Sequence, residues 1–238
     1  MPNNPSFGIA SRLPTTIASD PSINLVIYPS PVPVAYHPTV DLIPDLISTH
    51  KPDIILSMGV AEGRTYFAVE QTSKRRVYNQ IPDIDDEVFT NEENSEAWGD
   101  SPDMLSTTLE LDAVVEAWQE NTNDVKWQFD INGERFVDSD SEEAVVQVKG
   151  VSTMWDLGEM MSNGVQWSDA VGNYLCGFIY YTDMVEMFRA SDGRERNAAF
   201  MHVPMLNTET DLQTGVEVTV GLIEALVKTW REQHQVPS

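Results

Sequence analysis

The chain has 238 residues, of which 41% are hydrophobic and 22% charged, so it is long enough for one globular domain with a sizeable core. Its formal net charge of −24 argues against nucleic-acid binding, because neutralising phosphates requires clustered lysine and arginine. No apolar run predicts a membrane span, and the first residues lack the pattern of a secretion signal. One cysteine excludes an intramolecular disulfide and fits a cytoplasmic location; with only four histidines it also disfavours structural zinc.

The N-terminal quarter alternates apolar runs with turn residues. Residues 9–13 predict a short helix, and residues 23–28 predict a buried strand. Pro38 opens a second helix that ends near His50, and residues 53–59 form a short apolar strand. Strand, helix and strand at this spacing predict a βαβ unit. They predict an α/β fold, with a mostly parallel sheet covered by helices on both faces.

A glycine-containing turn, residues 59–64, follows the second predicted strand. Its glycines match neither a dinucleotide-binding nor a P-loop pattern, but open α/β sheets place their sites at such strand ends. Residues 65–70 continue as an extended segment that ends in Glu70. The basic run Lys74–Arg76 predicts a solvated surface.

The middle of the chain predicts an elaboration of the core. Residues 81–102 are acidic and predict a loop with Trp98 buried, and residues 111–118 predict a helix. A β-hairpin with a turn at Asn132-Gly133 is predicted over 127–136, and a further strand over 144–148. We interpret about 119–166 as an insertion within a single domain spanning 1–238.

The C-terminal third carries the residues of greatest chemical interest. An extended segment at 164–167 precedes a helix that holds Cys176 in its first turns. A strand over 197–204 has His202 near its end, and residues 215–230 predict a closing amphipathic helix.

A thiol in the first turn of a helix meets unpaired backbone N–H groups and the positive end of the helix dipole. Both favour the thiolate, which is the nucleophilic form. This signal is weak by itself, because a lone cysteine is more often a small buried hydrophobic residue.

Cys176, His202 and Glu70 are the three residue types that nucleophilic acyl transfer needs. The thiolate attacks, the imidazole moves the proton, and the carboxylate holds the imidazole in one tautomer. Taken singly, His202 would equally fit a hydrogen-bonded core histidine, and Glu70 a surface carboxylate. Their spacing in the sequence does not show that they meet.

The sequence motifs around these residues resemble those of one family. Ser168-x-x-Val171-Gly172-x-Tyr174-x-Cys176 is similar to the Ser-x-x-Ala-Gly-x-Tyr-x-Cys motif of type I pyroglutamyl peptidases, also called pyrrolidone-carboxylate peptidases. Phe200-Met201-His202-Val203-Pro204 resembles their histidine motif, and Gly63-Arg64 followed by Glu70 resembles their glutamate motif. Further matches are Asn4-Pro5-Ser6, Val34 and Ile81-Pro82-Asp83.

The resemblance implies an α/β/α sandwich and a cysteine peptidase that removes N-terminal pyroglutamyl residues from peptides without metal or cofactor. It implies Cys176 as nucleophile, His202 as acid and base, and Glu70 as its orienting carboxylate. Tyr174 matches an aromatic position that flanks the lactam ring. Nucleic-acid and membrane partners are not expected, and a homo-oligomer is left open.

The N-terminus departs from the family pattern. Members begin with a buried strand and a Gly-Phe-x-Pro-Phe loop, whereas Met1 here stands three residues before Asn4. We therefore expect that strand and aromatic loop to be absent. Two alternatives stay open at this point: a catalytically impaired relative that acts as a binding protein, and a cysteine amidohydrolase for another lactam or amide.

Overall fold

The computed structural model describes residues 4–125 and 164–234, together with the backbone of residues 130–131 and 134–135. Its helices are α1 (Pro5–Ala10), α2 (Tyr36–His50), α3 (Asn91–Trp98), α4 (Leu111–Asn121), α5 (Leu175–Ala190) and α6 (Glu209–His234). Its strands are β1 (Ile55–Val60), β2 (Phe67–Glu70), β3 (Thr72–Lys74), β4 (Met104–Ser106), β5 (Asp130–Ile131), β6 (Glu134–Arg135), β7 (Val165–Ser168) and β8 (Ala198–Val203).

Four strands form the central sheet in the order β1-β8-β2-β7. β1 runs parallel to β8 and β2 parallel to β7, whereas β2 and β8 are antiparallel. The predicted mostly parallel sheet is therefore confirmed. Two short antiparallel pairs, β3-β4 and β5-β6, lie outside this sheet.

Helices cover both faces of the sheet, and the alternation of side chains along each strand separates two cores. Along β8, Ala199, Met201 and Val203 join a core with α1, α4 and α6. Ala198 and Phe200 instead join a core with α2, α3 and α5 that is rich in aromatic rings. By the same period of two, His202 and Glu70 belong to the α5 side of the sheet.

The strand predicted at residues 23–28 is wrong. This region holds only an isolated bridge between Thr16 and Asn24, and Val26 is 68% exposed. Prolines at 29, 31 and 33 remove backbone donors, which disfavours a place in a sheet. Ile23 packs with Ile223 of α6 instead, so the predicted βαβ unit does not form and β8 is the parallel neighbour of β1.

The acidic segment 81–102 is not a loop throughout, because residues 91–98 form α3. Thr90 and Glu93 form a reciprocal capping box, which the sequence displays as Thr-x-x-Glu. Trp98 is buried, as predicted. The prediction of a solvated basic run is wrong for Arg75, which is buried and donates to Asn94 and to the Gly99 and Ser101 carbonyls.

The remaining predicted elements are largely confirmed. The first helix is displaced to Pro5–Ala10 and the last begins earlier, at Glu209. The backbone pairing of β5 with β6 confirms the hairpin, whereas its Asn132-Gly133 turn and the strand over 144–148 lie outside the described residues. Most of the proposed insertion also lies there. Among the described helices, none is long and apolar enough to cross a membrane.

Candidate active site

The site forms where β1, β2 and β8 meet the beginning of α5. Glu70 is the last residue of β2, and His202 lies near the end of β8. The register pairs His202 with Gly59 of β1 on one side and with Ala68 of β2 on the other. The sheet therefore fixes the imidazole and the carboxylate relative to each other.

Glu70 and His202 make a direct contact in the interior. The Nδ1 atom of His202 lies 2.7 Å from Oε1 of Glu70, and the two residues are 4% and 0% exposed. Oε1 also accepts a hydrogen bond from Nη1 of Arg64 at 2.7 Å, and Oε2 accepts one from the backbone N–H of Ala170 at 2.9 Å. Each carboxylate oxygen is thus held by at least one donor.

These contacts keep Glu70 ionised. Burial by itself raises the pKa of a carboxyl group, because it disfavours the charged form. The hydrogen bonds from His202, Arg64 and the Ala170 N–H outweigh that effect and lower the pKa of Glu70 to about 2. A carboxylate that stays charged can hold a neighbouring imidazole in one tautomer and stabilise its cationic form.

Cys176 is the second residue of α5, which begins after Tyr174 in an extended conformation. A Cβ atom on Gly59 would lie 2.8 Å from the Cys176 sulfur, so the thiol sits directly over Gly59. Since Gly59 is the register partner of His202, the structure places the thiol beside the histidine strand. Glu70 also acts electrostatically on the thiol, so the three residues that the sequence singled out lie in one region of the structure.

The environment of the thiol differs from the expectation. Burial and the Glu70 carboxylate raise the pKa of Cys176 to about 11, although its own backbone N–H and Arg64 act in the opposite direction. The helix start therefore favours the thiolate as expected, but desolvation is the larger effect. A thiol of this kind needs a neighbouring base for activation.

Tyr174 lies half-buried at the entrance to α5. Its ring meets Tyr36 edge-on at 6.0 Å between ring centroids. Tyr36 is fully buried, and its backbone N–H donates to the carboxylate of Asp83 at 2.8 Å. Tyr36 belongs to the aromatic core on the α5 side of the sheet, and both Tyr174 and Cys176 pack against that core.

Sequence reasoning assigned no role to Arg64, Gly59 or Ala170. Arg64 stood in the recognised Gly-Arg…Glu motif, so its spacing from Glu70 was a usable signal. The sequence marks Gly59 only as a turn residue, although a Cβ there would also lie 2.9 Å from the Phe200 ring. The backbone contact of Ala170 has no signal in the sequence, because any residue except proline supplies an N–H.

Comparison with known proteins agrees with this geometry. The family model described as pyroglutamyl peptidase matches residues 2–122, slightly more than half of the chain. A pyrrolidone-carboxylate peptidase of Thermococcus onnurineus is 26% identical over 230 residues, covering 95% of this chain and 90% of the relative. One of Lacticaseibacillus paracasei is 26% identical over 205 residues, covering 85% and 71%.

Among solved structures, pyrrolidone carboxyl peptidase from Thermococcus litoralis has the same fold. The TM-score is 0.62 at 16% identity, with 99% of this chain and 93% of the other covered. The Pyrococcus furiosus enzyme gives a TM-score of 0.60 at 15% identity, with 97% and 92% covered. The chain belongs to the pyroglutamyl peptidase family of cysteine omega-peptidases.

Proposed function

We propose that the chain hydrolyses the amide bond that follows an N-terminal pyroglutamyl residue in peptides, through Cys176, His202 and Glu70. The observation that carries this proposal is the buried 2.7 Å contact between His202 and Glu70 beside the Cys176 thiol. The names of the relatives support the choice of substrate, since all those described above are pyrrolidone-carboxylate peptidases.

In the first step His202 acts as the base. Its Nδ1 faces Glu70, so Nδ1 carries the proton that is donated to the carboxylate and Nε2 is left to accept a proton. Because burial keeps the thiol protonated at neutral pH, Nε2 takes the proton as the sulfur attacks the pyroglutamyl carbonyl carbon. Glu70 stabilises the imidazolium that forms.

The tetrahedral intermediate then expels the peptide amine. The carbon–nitrogen bond breaks as Nε2 returns its proton to the leaving nitrogen, and the pyroglutamyl group remains on sulfur as a thioester. Water, deprotonated by His202, attacks the thioester and releases pyroglutamate and the thiol. Backbone N–H groups at the start of α5 are the proposed donors to the oxyanion, because helix starts leave them unpaired.

Tyr174 is proposed to flank the lactam ring, since it lies two residues before the nucleophile and is held against Tyr36. A single domain over 1–238 with an insertion at about 119–166, and a cytoplasmic location, remain part of the same proposal. Chain length supports the first of these and the lone cysteine the second.

The test is fluorophore release from a pyroglutamyl-arylamide by the purified chain and by Cys176→Ala. A prolyl-arylamide, which has the same ring without the lactam carbonyl, serves as matched control substrate. We expect release only from the pyroglutamyl compound and only with Cys176 present.

Equal release by Cys176→Ala would overturn the proposal. No release by a folded chain would instead favour the binding-protein interpretation. Thiol-dependent activity confined to other amides would favour an amidohydrolase of different substrate class.

A further inference from the structure

The guanidinium of Arg64 joins two parts of the site that are far apart in sequence. Besides Oε1 of Glu70, it contacts the carbonyl of Ala170 at 3.0 Å and Oγ of Ser168 at 3.3 Å, both through Nη2. Its side chain is only 16% exposed. A planar group with several fixed donors suits such a set of acceptors, whereas a lysine ammonium does not match it.

The segment that Arg64 contacts leads directly into the nucleophile. Residues 168–172 comprise the end of β7 and the first part of its connection to α5, with Gly172 at φ +90°. The Gly172 carbonyl closely approaches Gly177, where a Cβ atom would lie 2.4 Å from it. The position of this segment therefore determines where α5 begins and where Cys176 lies.

The same segment also holds Glu70 by a second route. The Ala170 N–H donates to Oε2 of Glu70, while Arg64 donates to Oε1 and to the Ala170 carbonyl. Arg64, Glu70 and Ala170 thus form a closed ring of three hydrogen bonds. His202 is attached to this ring through Glu70.

Arg64 also counteracts the effect of the Glu70 carboxylate on the pKa of the Cys176 thiol. The Glu70 carboxylate raises the pKa of Cys176 and the Arg64 charge lowers it. Removing the guanidinium would leave the carboxylate effect uncompensated in a buried environment, where charges interact strongly.

We propose that Arg64 is a positioning residue for the reaction, because it ties the Glu70–His202 pair to the 168–172 segment that places Cys176. It acts through Glu70 and the backbone and does not touch substrate. The inference rests on the proposed function and adds a residue to it.

The test compares Arg64→Met and Arg64→Lys with wild type, with Arg12→Met as control. Arg12 forms an exposed ion pair with Glu209 of α6, on the other side of the sheet. Three readouts are needed: kcat and KM for the pyroglutamyl-arylamide, the pH dependence of Cys176 alkylation by iodoacetamide, and the unfolding transition.

We expect Arg64→Met to lower kcat about 100-fold with KM unchanged, since misplacement of a reacting group costs about that much. Its alkylation midpoint should move up by roughly one pH unit, because a nearby cation is lost. Arg64→Lys should restore the alkylation midpoint, because it keeps the positive charge. It should not restore kcat, because an ammonium lacks the planar set of donors of the guanidinium. Arg12→Met should match wild type throughout.

A raised KM with unchanged kcat would overturn the proposal, because it would make Arg64 a substrate-binding group. Full kcat in Arg64→Lys would also overturn it. If Arg64→Met does not fold, Arg64→Lys decides alone. If wild type releases no fluorophore, the proposed function fails, and the alkylation profiles still show whether Arg64 governs the thiol.

Discussion

Two fully buried carboxylates lie in the layer between the sheet and α5, and their surroundings are opposite. Glu70 receives hydrogen bonds from His202, Arg64 and the Ala170 N–H. Asp183, two turns further along α5 than Cys176, has no hydrogen-bond partner for either oxygen among the described residues. The nearby Ser57 hydroxyl favours its charged form but does not meet hydrogen-bond geometry.

The pKa values of the Glu70 and Asp183 carboxyl groups therefore shift in opposite directions. Burial raises the pKa of Asp183 to about 7, whereas the three donors lower that of Glu70 to about 2 despite its burial. At neutral pH Glu70 is therefore charged, whereas Asp183 holds its proton far more readily than an exposed aspartate does. Preorganised donors, and not burial, therefore decide which interior carboxylate can serve an imidazole.

The largest expected effect comes from removing the Glu70 charge. Glu70→Gln should lower kcat about 10⁴-fold, by analogy with the loss of the orienting carboxylate in a serine protease triad. It should also lower the free energy of unfolding by about 3–5 kcal/mol, because Arg64 is then a buried cation without its counter-charge. Arylamide kinetics and urea unfolding at pH 7 measure the two effects.

The pH dependence sharpens this prediction. The folded pKa of Glu70 lies below its ordinary value of 4.5, so its stabilising contribution is complete above about pH 4.5 and is lost as pH falls toward 2. Wild type should show this loss, and Glu70→Gln should not. Identical acid unfolding of the two proteins would contradict the assignment.

The contribution of Asp183 to stability should depend on pH in the opposite direction. Its folded pKa lies above its ordinary value of 3.8, so its contribution to stability is complete below that pH and is lost as pH rises through about 7. Asp183→Asn cannot ionise, so it should remove this loss, worth on the order of 4 kcal/mol, while leaving kcat nearly unchanged. Unfolding measured from pH 4 to 8.5 gives the slope of the free energy of unfolding against pH. The same slope in Asp183→Asn as in wild type would refute the prediction.

Gly59→Ala tests the packing of β1 against α5, in the layer that holds both Glu70 and Asp183. The new methyl group would crowd the Cys176 sulfur and the Phe200 ring, so kcat should fall about 100-fold and the free energy of unfolding by about 1–3 kcal/mol. Ser57→Ala, on the same face of β1 but beside Asp183, is the control and should keep wild-type kcat. A fully active Gly59→Ala would mean that the thiol tolerates displacement.

The smallest effect is expected at Tyr180, which lies on α5 between the two carboxylates. Its hydroxyl donates to the backbone carbonyl of Glu70 at 2.8 Å. Tyr180→Phe should lower the free energy of unfolding by about 1 kcal/mol and leave kcat nearly unchanged, because the carboxylate keeps its three donors. Thermal unfolding and arylamide kinetics check this. A large loss of kcat would show that the β2 backbone also controls Glu70.

The elements that the sequence predicted correctly are those with strong local signals. The apolar period of α2, its start near Pro38 and the apolar run of β1 are all readable without tertiary information. Residues 23–28 form no strand, because Ile23 and Leu25 pack on α6 and Val26 is exposed. The helix α3 was missed because its residues are polar and only its capping box marks it.

The sequence by itself determined which residue types are available for acyl transfer and marked Cys176, His202 and Glu70 through local motifs. The tertiary structure decided that β2 and β8 bring Glu70 and His202 within hydrogen-bond distance, although 132 positions separate them. It also decided the ionisation of each group, since burial and the donors around a carboxyl or thiol depend on chain segments remote in sequence. That is why the ionisation of Asp183 is visible only in the folded chain, whereas Arg64 is already marked in the sequence by its spacing from Glu70.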